Sequence, residues 1–272
     1  MLDIRNLTIT FTDDFGGEAV LNVNLQMHQG ERLGLVGESG SGKTMLALAV
    51  AGLYPRSRTD VTGEILFNGS DILKCSPKEL RRLQGKEISM VFQEPMTSLN
   101  PLMKVGRQIE ETLKLHTDLS PQRRRELALE VMDRVDLPEP ELTYYKYPHQ
   151  LSGGQRQRAM IASAIIADPK LLIADEPTTA LDVTVQGQII ALLKRINVNR
   201  GVGVLFISHD LSVIRQLCSR VVVMHSGRIV EDGPTEEIFK NPQEDYTKQL
   251  ISAIPTRSGR ARKRLSARGT MG

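Results

Sequence analysis

The chain has no tryptophan, and its aromatic residues amount to only 4%. That scarcity excludes little by itself. Cysteine occurs twice, at Cys75 and Cys218. The two lie far apart and form no metal-ligand spacing, which suits a reducing compartment. The opening residues Met1-Leu2-Asp3-Ile4-Arg5 lack the basic-then-apolar pattern of a signal peptide. The longest apolar stretch, residues 159–167, is too short to cross a bilayer, so any membrane role is expected to come through a partner. Acidic residues are missing from residues 256–272, where Arg257, Arg260, Arg262, Lys263, Arg264 and Arg268 stand together. Of the formal net charge of +3, this segment supplies +6, which leaves −3 for residues 1–255. The basic balance therefore belongs to the tail, and no nucleic-acid surface is read into the rest. No internal repeat is visible.

What is present is enough apolar material, 40% of 272 residues, for one large domain or two small ones. Short apolar runs at residues 32–36, 171–174, 204–207 and 221–224 suit buried parallel strands. Helical patterns follow at 45–53, 183–196 and 211–217, and this alternation predicts an α/β sheet covered on both faces. Residues of about 98–165 differ, being mainly helical, with a charged amphipathic stretch at 123–135; they read as a helical insertion. The Gly- and Arg-rich end beyond Pro255 is predicted to be disordered and dispensable for chemistry, its cations suited to touch anionic lipid.

The run Gly37-Glu38-Ser39-Gly40-Ser41-Gly42-Lys43-Thr44 fits the phosphate-loop pattern, between a predicted strand and a predicted helix. Its glycines let backbone N–H groups converge on phosphate oxygens at a helix N-terminus. Lys43 would supply a charge for the β- and γ-phosphates, and the Thr44 hydroxyl would reach Mg²⁺. A chance match in a chain of this length is roughly one in a hundred.

Leu171-Leu172-Ile173-Ala174-Asp175-Glu176-Pro177 places two acids at a strand's carboxyl end. Asp175 is expected to hold Mg²⁺ and Glu176 to activate or orient water; alone, such a pair is usually a helix cap, and the phosphate loop reverses those odds. His209, in Ile207-Ser208-His209-Asp210, ends another strand and would lie near a γ-phosphate, although a lone histidine is commonly structural. Gln93, after residues 88–92, carries the weakest independent signal, since a loop glutamine is usually solvated.

Leu151-Ser152-Gly153-Gly154-Gln155 adds a second glycine loop. Ser152 with Gln155 matches a capping box, yet two glycines in a first helical turn weaken the helix unless something approaches the backbone closely. With this stretch the sequence resembles the ATP-binding-cassette ATPases over residues 1–255. That family implies a RecA-like core sheet, an antiparallel β subdomain and a helical subdomain. It implies ATP and Mg²⁺ as cofactors, and Ser152, Gly153, Gly154 and Gln155 bound to the γ-phosphate held by a second ATPase subunit. By the same resemblance Phe11 stacks on adenine, with Phe15 a weaker choice and a plain core role still open for Phe11. Gln93 senses the γ-phosphate, joins the metal ligands Thr44 and Asp175, and faces a membrane permease. Ala180-Leu181-Asp182 crosses the dimer interface, and His209 is the switch residue.

Gln93-Glu94-Pro95-Met96-Thr97-Ser98-Leu99-Asn100-Pro101 and Tyr147-Pro148-His149-Gln150 resemble the peptide and nickel importer branch. Asn241-Pro242, Tyr246-Thr247 and Leu250 resemble that branch's C-terminal extension, at about 234–255. No cysteine follows Cys218, so the cysteine-containing segment of longer members has no counterpart here. The implied protein is the ATPase of an importer for peptides or a related solute such as nickel, at the cytoplasmic face of the membrane. Its partners would be permease subunits and, indirectly, a solute-binding protein. An exporter ATPase is the nearer alternative. A DNA-repair ATPase would need a long heptad insertion, and a translation factor typically two cassettes.

Overall fold

The computed structural model describes residues 1–12, 16–93, 98–179 and 181–254. Its strands are β1 (Leu2–Phe11), β2 (Glu18–Met27), β3 (Arg32–Val36), β4 (Thr59–Phe67), β5 (Ser70–Asp71), β6 (Ile88–Val91), β7 (Leu171–Asp175), β8 (Gly203–Ile207), β9 (Arg220–His225) and β10 (Arg228–Pro234). β3, β6, β7, β8 and β9 run parallel in the spatial order β9-β3-β8-β7-β6, with β10 antiparallel on the outer edge of β9. All residues of β7 and β8 are buried, as continuous apolar runs require when both faces of a sheet are covered.

Alternation along these strands divides the core in two. Leu172, Ala174, Val204, Phe206, Val221 and Val223 face one cluster. Leu171, Ile173, Leu205, Ile207, Val222 and Met224 face the other. The first cluster takes in the buried sides of the helices Val105–Ile109, Pro121–Arg134, Gly153–Ile165, Val183–Arg200 and Leu211–Leu217. The second is closed by the helix Lys43–Val50 and by a four-stranded antiparallel sheet ordered β2-β1-β4-β5. Each fully buried Leu, Ile or Val contributes about 1.5–3 kcal/mol relative to exposure, so the two faces hold the sheet from both sides. Gly34 in β3 lets the helix Leu211–Leu217 approach closely, since a Cβ there would stand 2.8 Å from Ile214 Cγ2.

The parallel direction has one consequence for function. It brings the carboxyl ends of β3, β8, β7 and β6 to one rim, and each of the loops that leave that rim carries a residue singled out above. The helix after β3 starts at Lys43, two residues earlier than its apolar pattern indicated, and the helix from Val183 continues to Arg200, four residues further. Among the described residues, no helix is long and apolar enough to cross a membrane. Phe15, Glu94-Pro95-Met96-Thr97, Ala180 and the basic tail lie outside the described residues.

Candidate active site

The loop between β3 and the helix Lys43–Val50 curls around the Lys43 ammonium. Lys43 Nζ donates to Gly37 O at 2.9 Å, Glu38 O at 2.6 Å and Ser41 Oγ at 3.2 Å. The lysine is buried, and burial pushes its pKa below the ordinary value, against the pull of Glu176, Asp175 and Glu38. A cation held so, with only neutral oxygens bonded to it, is suited to receive an anion. Gly42 caps the helix in the left-handed region at φ 98°, and a Cβ on it would stand 2.1 Å from Ala19 O. Gly37 is equally confined: a Cβ there would stand 2.2 Å from Met224 O. Glycine at both positions is demanded by β2 and β9, so the loop's shape is imposed by its surroundings.

Across the rim, Asp175 ends β7 at 3% exposure. The Thr44 hydroxyl donates to its Oδ1 at 3.4 Å. Burial pushes the Asp175 carboxyl above the usual range; the Thr44 hydrogen bond opposes this, Glu176 reinforces it, and Lys43 opposes it. A buried carboxylate short of positive charge, beside a hydroxyl oxygen, is a hard oxygen donor set of the kind Mg²⁺ takes. Thr44 and Asp175 therefore fit that ion.

Glu176 follows in the left-handed region at φ 45°, its N–H donating to Ile207 O at 3.0 Å. The next helix, Val183–Arg200, is capped by Asp182, so Glu176 does not act as its cap. Three side chains grip the Glu176 carboxylate. Gln93 Nε2 donates to Oε2 at 3.1 Å, the Thr179 hydroxyl donates to Oε2 at 2.9 Å, and His209 Nδ1 lies 3.1 Å from Oε1. Residues from the ends of β6, β7 and β8 thus converge on one carboxylate. Thr179 was not singled out by the sequence; a threonine two residues beyond Pro177 carries no pattern of its own.

Lys43, Thr44, Ser39, Gly40, Gly42, Gln93 and Glu176 line a cavity of about 500 Å³, together with Phe11, Gly17, Glu18 and Ala19. Phe11 is the last residue of β1 and half-buried, so its ring flanks the cavity. The size and lining suit a nucleotide with its phosphates toward Lys43. An apolar cavity under Ile165, Ile196 and Val202 lies elsewhere and holds none of these groups.

Ser152, Gly153, Gly154 and Gln155 are not among the residues of this cavity. They open the helix Gly153–Ile165, where Ser152 Oγ accepts from Gln155 N–H at 3.3 Å and Gln155 Oε1 accepts from Ser152 N–H at 2.9 Å. The capping box read from the sequence is present. A Cβ on Gly154 would meet Val185 Cγ1 at 2.9 Å, whereas one on Gly153 would come no nearer than 3.9 Å to Leu181. Asp182 caps the helix Val183–Arg200, its Oδ1 accepting from Thr184 N–H and Val185 N–H at 3.0 Å each. Ser152 and Asp182 are both exposed.

Known proteins share this arrangement. The family described as "ABC transporter" matches residues 20–179. The oligopeptide transport ATP-binding protein OppD of Bacillus subtilis (strain 168) is 46% identical over 270 residues, 98% of this chain and 75% of the relative. The dipeptide transport ATP-binding protein DppD of the same organism is 45% identical over 258 residues, 94% of this chain and 77% of the relative. Among solved structures, the ATP-binding cassette MJ0796, a dimer in a post-hydrolysis state bound to ADP and Pi, superposes with a TM-score of 0.77. It is 30% identical, over 86% of this chain and 99% of the other. With the family matched over residues 20–179 and OppD 46% identical over 98% of the chain, the chain belongs to the ABC transporter family and is an ATPase of that family.

Proposed function

We propose that this ATPase energises a peptide importer, working as one half of a two-site dimer. The observation that carries the chemistry is the Glu176 carboxylate, held by Gln93, Thr179 and His209 at the edge of the cavity that the phosphate loop lines. The names of the relatives OppD and DppD support peptides as the cargo.

In this reading Phe11 stacks on adenine and backbone N–H groups of the phosphate loop on the cavity side, at Ser39, Gly40, Gly42, Lys43 and Thr44, bind the phosphates, with Lys43 exchanging its loop carbonyls for phosphate oxygens. Thr44 and Asp175, with Gln93, hold Mg²⁺, which when bound screens phosphate charge. Glu176 orients the attacking water and receives its proton at a carboxylate oxygen. His209 steadies Glu176 through its ring Nδ1, and Gln93 reports the state of the site to a membrane permease. Ser152, Gly153, Gly154, Gln155 and Asp182 serve a partner ATPase, whose nucleotide they close from the far side; the dimeric state of the MJ0796 cassette supports this arrangement. Mutual closure then moves the attached permease subunits, and a solute-binding protein delivers the cargo. The chain sits at the cytoplasmic face of the membrane as a peripheral subunit. Residues 1–255 form the ATPase domain, with its helical subdomain at about 98–165 and an extension at about 234–255, and residues 256–272 form a basic tail.

Uptake tests the assignment. Cells carrying Lys43→Ala should lose accumulation of a labelled oligopeptide while the chain still co-purifies with membranes. Retained peptide uptake with lost nickel uptake would move the cargo to the metal branch, and peptide accumulation that rises would indicate export.

A further inference from the structure

The C-terminal extension reaches the phosphate loop. Tyr246, on the helix Asp245–Ser252, accepts the Glu38 N–H on its hydroxyl at 3.0 Å, across 208 residues of sequence. Glu38 is thus held at both of its backbone polar groups, since its carbonyl accepts from Lys43 Nζ at 2.6 Å and from Ser41 N–H at 3.2 Å. Neither Tyr246 nor Glu38 lines the cavity, so the contact lies on the outer side of the loop.

The helix that carries Tyr246 is itself tied to the loop's neighbours. The Tyr246 ring rests on His225 with centroids 4.0 Å apart at a tilt of 46°. His225 ends β9, and Gly227 in the following turn donates its N–H to Ser41 O at 3.1 Å. Met224 O, one residue before His225, is the atom that forbids a side chain on Gly37. On β10, the Glu231 carboxylate accepts from Gln243 N–H at 2.8 Å and Glu244 N–H at 3.3 Å, fixing the approach to the helix. Leu250, Ile251 and Ile254 pack against the core cluster. The β9–β10 hairpin and the C-terminal helix therefore form one brace behind the phosphate loop, and Tyr246 is its contact with Glu38. A phenylalanine would satisfy the ring packing equally; only the loop uses the oxygen. Burial raises the Tyr246 pKa, which keeps the hydroxyl neutral at physiological pH.

We infer that Tyr246 is a positioning residue for nucleotide binding: by holding Glu38 N–H it keeps the phosphate loop in its binding shape and makes ATP affinity depend on how the C-terminal helix is seated. This rests on the cavity being the ATP site. Removing a neutral hydrogen bond that pre-shapes a loop costs about three- to tenfold in affinity, and the chemical step, which Glu176 serves, is untouched.

The test uses the full chain with Tyr246→Phe and Tyr246→Leu. Tyr246→Phe should raise the KM for ATP about three- to tenfold with kcat within twofold of the parent. Its Tm should fall by no more than about 2–4 °C, and the Glu38 amide should exchange hydrogen faster. Tyr246→Leu should show the same KM rise with a lowered Tm, because the ring is also gone. Parent-like KM and parent-like Glu38 exchange in Tyr246→Phe would overturn the inference, as would a loss confined to Tm in Tyr246→Leu. A parent protein that fails to bind ATP would remove the underlying site assignment as well, and so separates the two failures.

Discussion

Around residues 37–44, the chain explains its own glycines. Ala19 O and Met224 O leave no room for a side chain on Gly42 or Gly37, and Lys43 finds three oxygen partners inside the loop. Around residues 152–155 half of the explanation is missing. Val185 accounts for Gly154, but nothing within 3.9 Å accounts for Gly153, and Ser152 is exposed with its capping bonds complete. A first-turn glycine with room for a methyl group weakens its own helix by about 0.5–1 kcal/mol. Ser152 is exposed and Gly153 partly so, which leaves the backbone of this turn within reach of another surface. One loop is a finished half-site within the chain; the other, on the two-site dimer proposed above, is completed by a surface from outside it.

Substitutions can break or sharpen that contrast. The largest effect is expected from Glu176→Gln, which should slow hydrolysis by about 10²–10⁴-fold while ATP still binds; single-turnover kinetics beside equilibrium binding read the two separately. Normal turnover in that variant would reject the role given to Glu176. Next comes Gly42→Ala. The new methyl group meets a backbone oxygen in a conformation that L-residues disfavour, so nucleotide affinity should fall at least tenfold by titration calorimetry.

Ser152→Arg should leave the affinity of the isolated monomer within about twofold, because Lys43, Thr44 and Phe11 are untouched. In a Glu176→Gln background with Mg²⁺ and ATP, it should abolish the dimers seen by sedimentation. If monomer binding collapses instead, Ser152 acts within its own chain. Gly153→Ala is the smallest and most discriminating change. It should stabilise the monomer by about 0.5–1 kcal/mol in denaturant melts, as alanine does in a helix, and still lower ATPase activity. Unchanged ATPase activity would mean that nothing approaches Gly153 closely.

Much of this contrast was legible before any coordinates. Four of the five parallel strands match their apolar runs to within one residue, because strands buried on both faces leave unbroken apolar signals, whereas β6 was not read as a strand from its run. The antiparallel sheet was expected only from family resemblance. Its alternation in β1 breaks where Asn6 takes a positive φ of 47° and the register shifts, which blurs a period-two signal. Lys43, Asp175 and Glu176 were readable because each follows a strand end. Thr179 and the Tyr246–Glu38 bond were not, since neither has a local pattern: one depends on the backbone turn at Glu176, the other on a contact across 208 residues. Asp182 was assigned to a subunit interface, and its structure adds a second task, capping the helix that begins at Val183.

The left-handed backbone at Glu176 has consequences for anyone engineering this protein. A glutamate at φ 45° holds strain of order 1 kcal/mol that glycine would not carry. A library selected for heat resistance alone weighs that relief against the contacts of Gln93, Thr179 and His209 with the carboxylate, and wherever Glu176→Gly wins, the carboxylate is lost. Selection for robustness and selection for turnover pull in opposite directions at this position, so any stabilisation campaign needs an activity screen at every round.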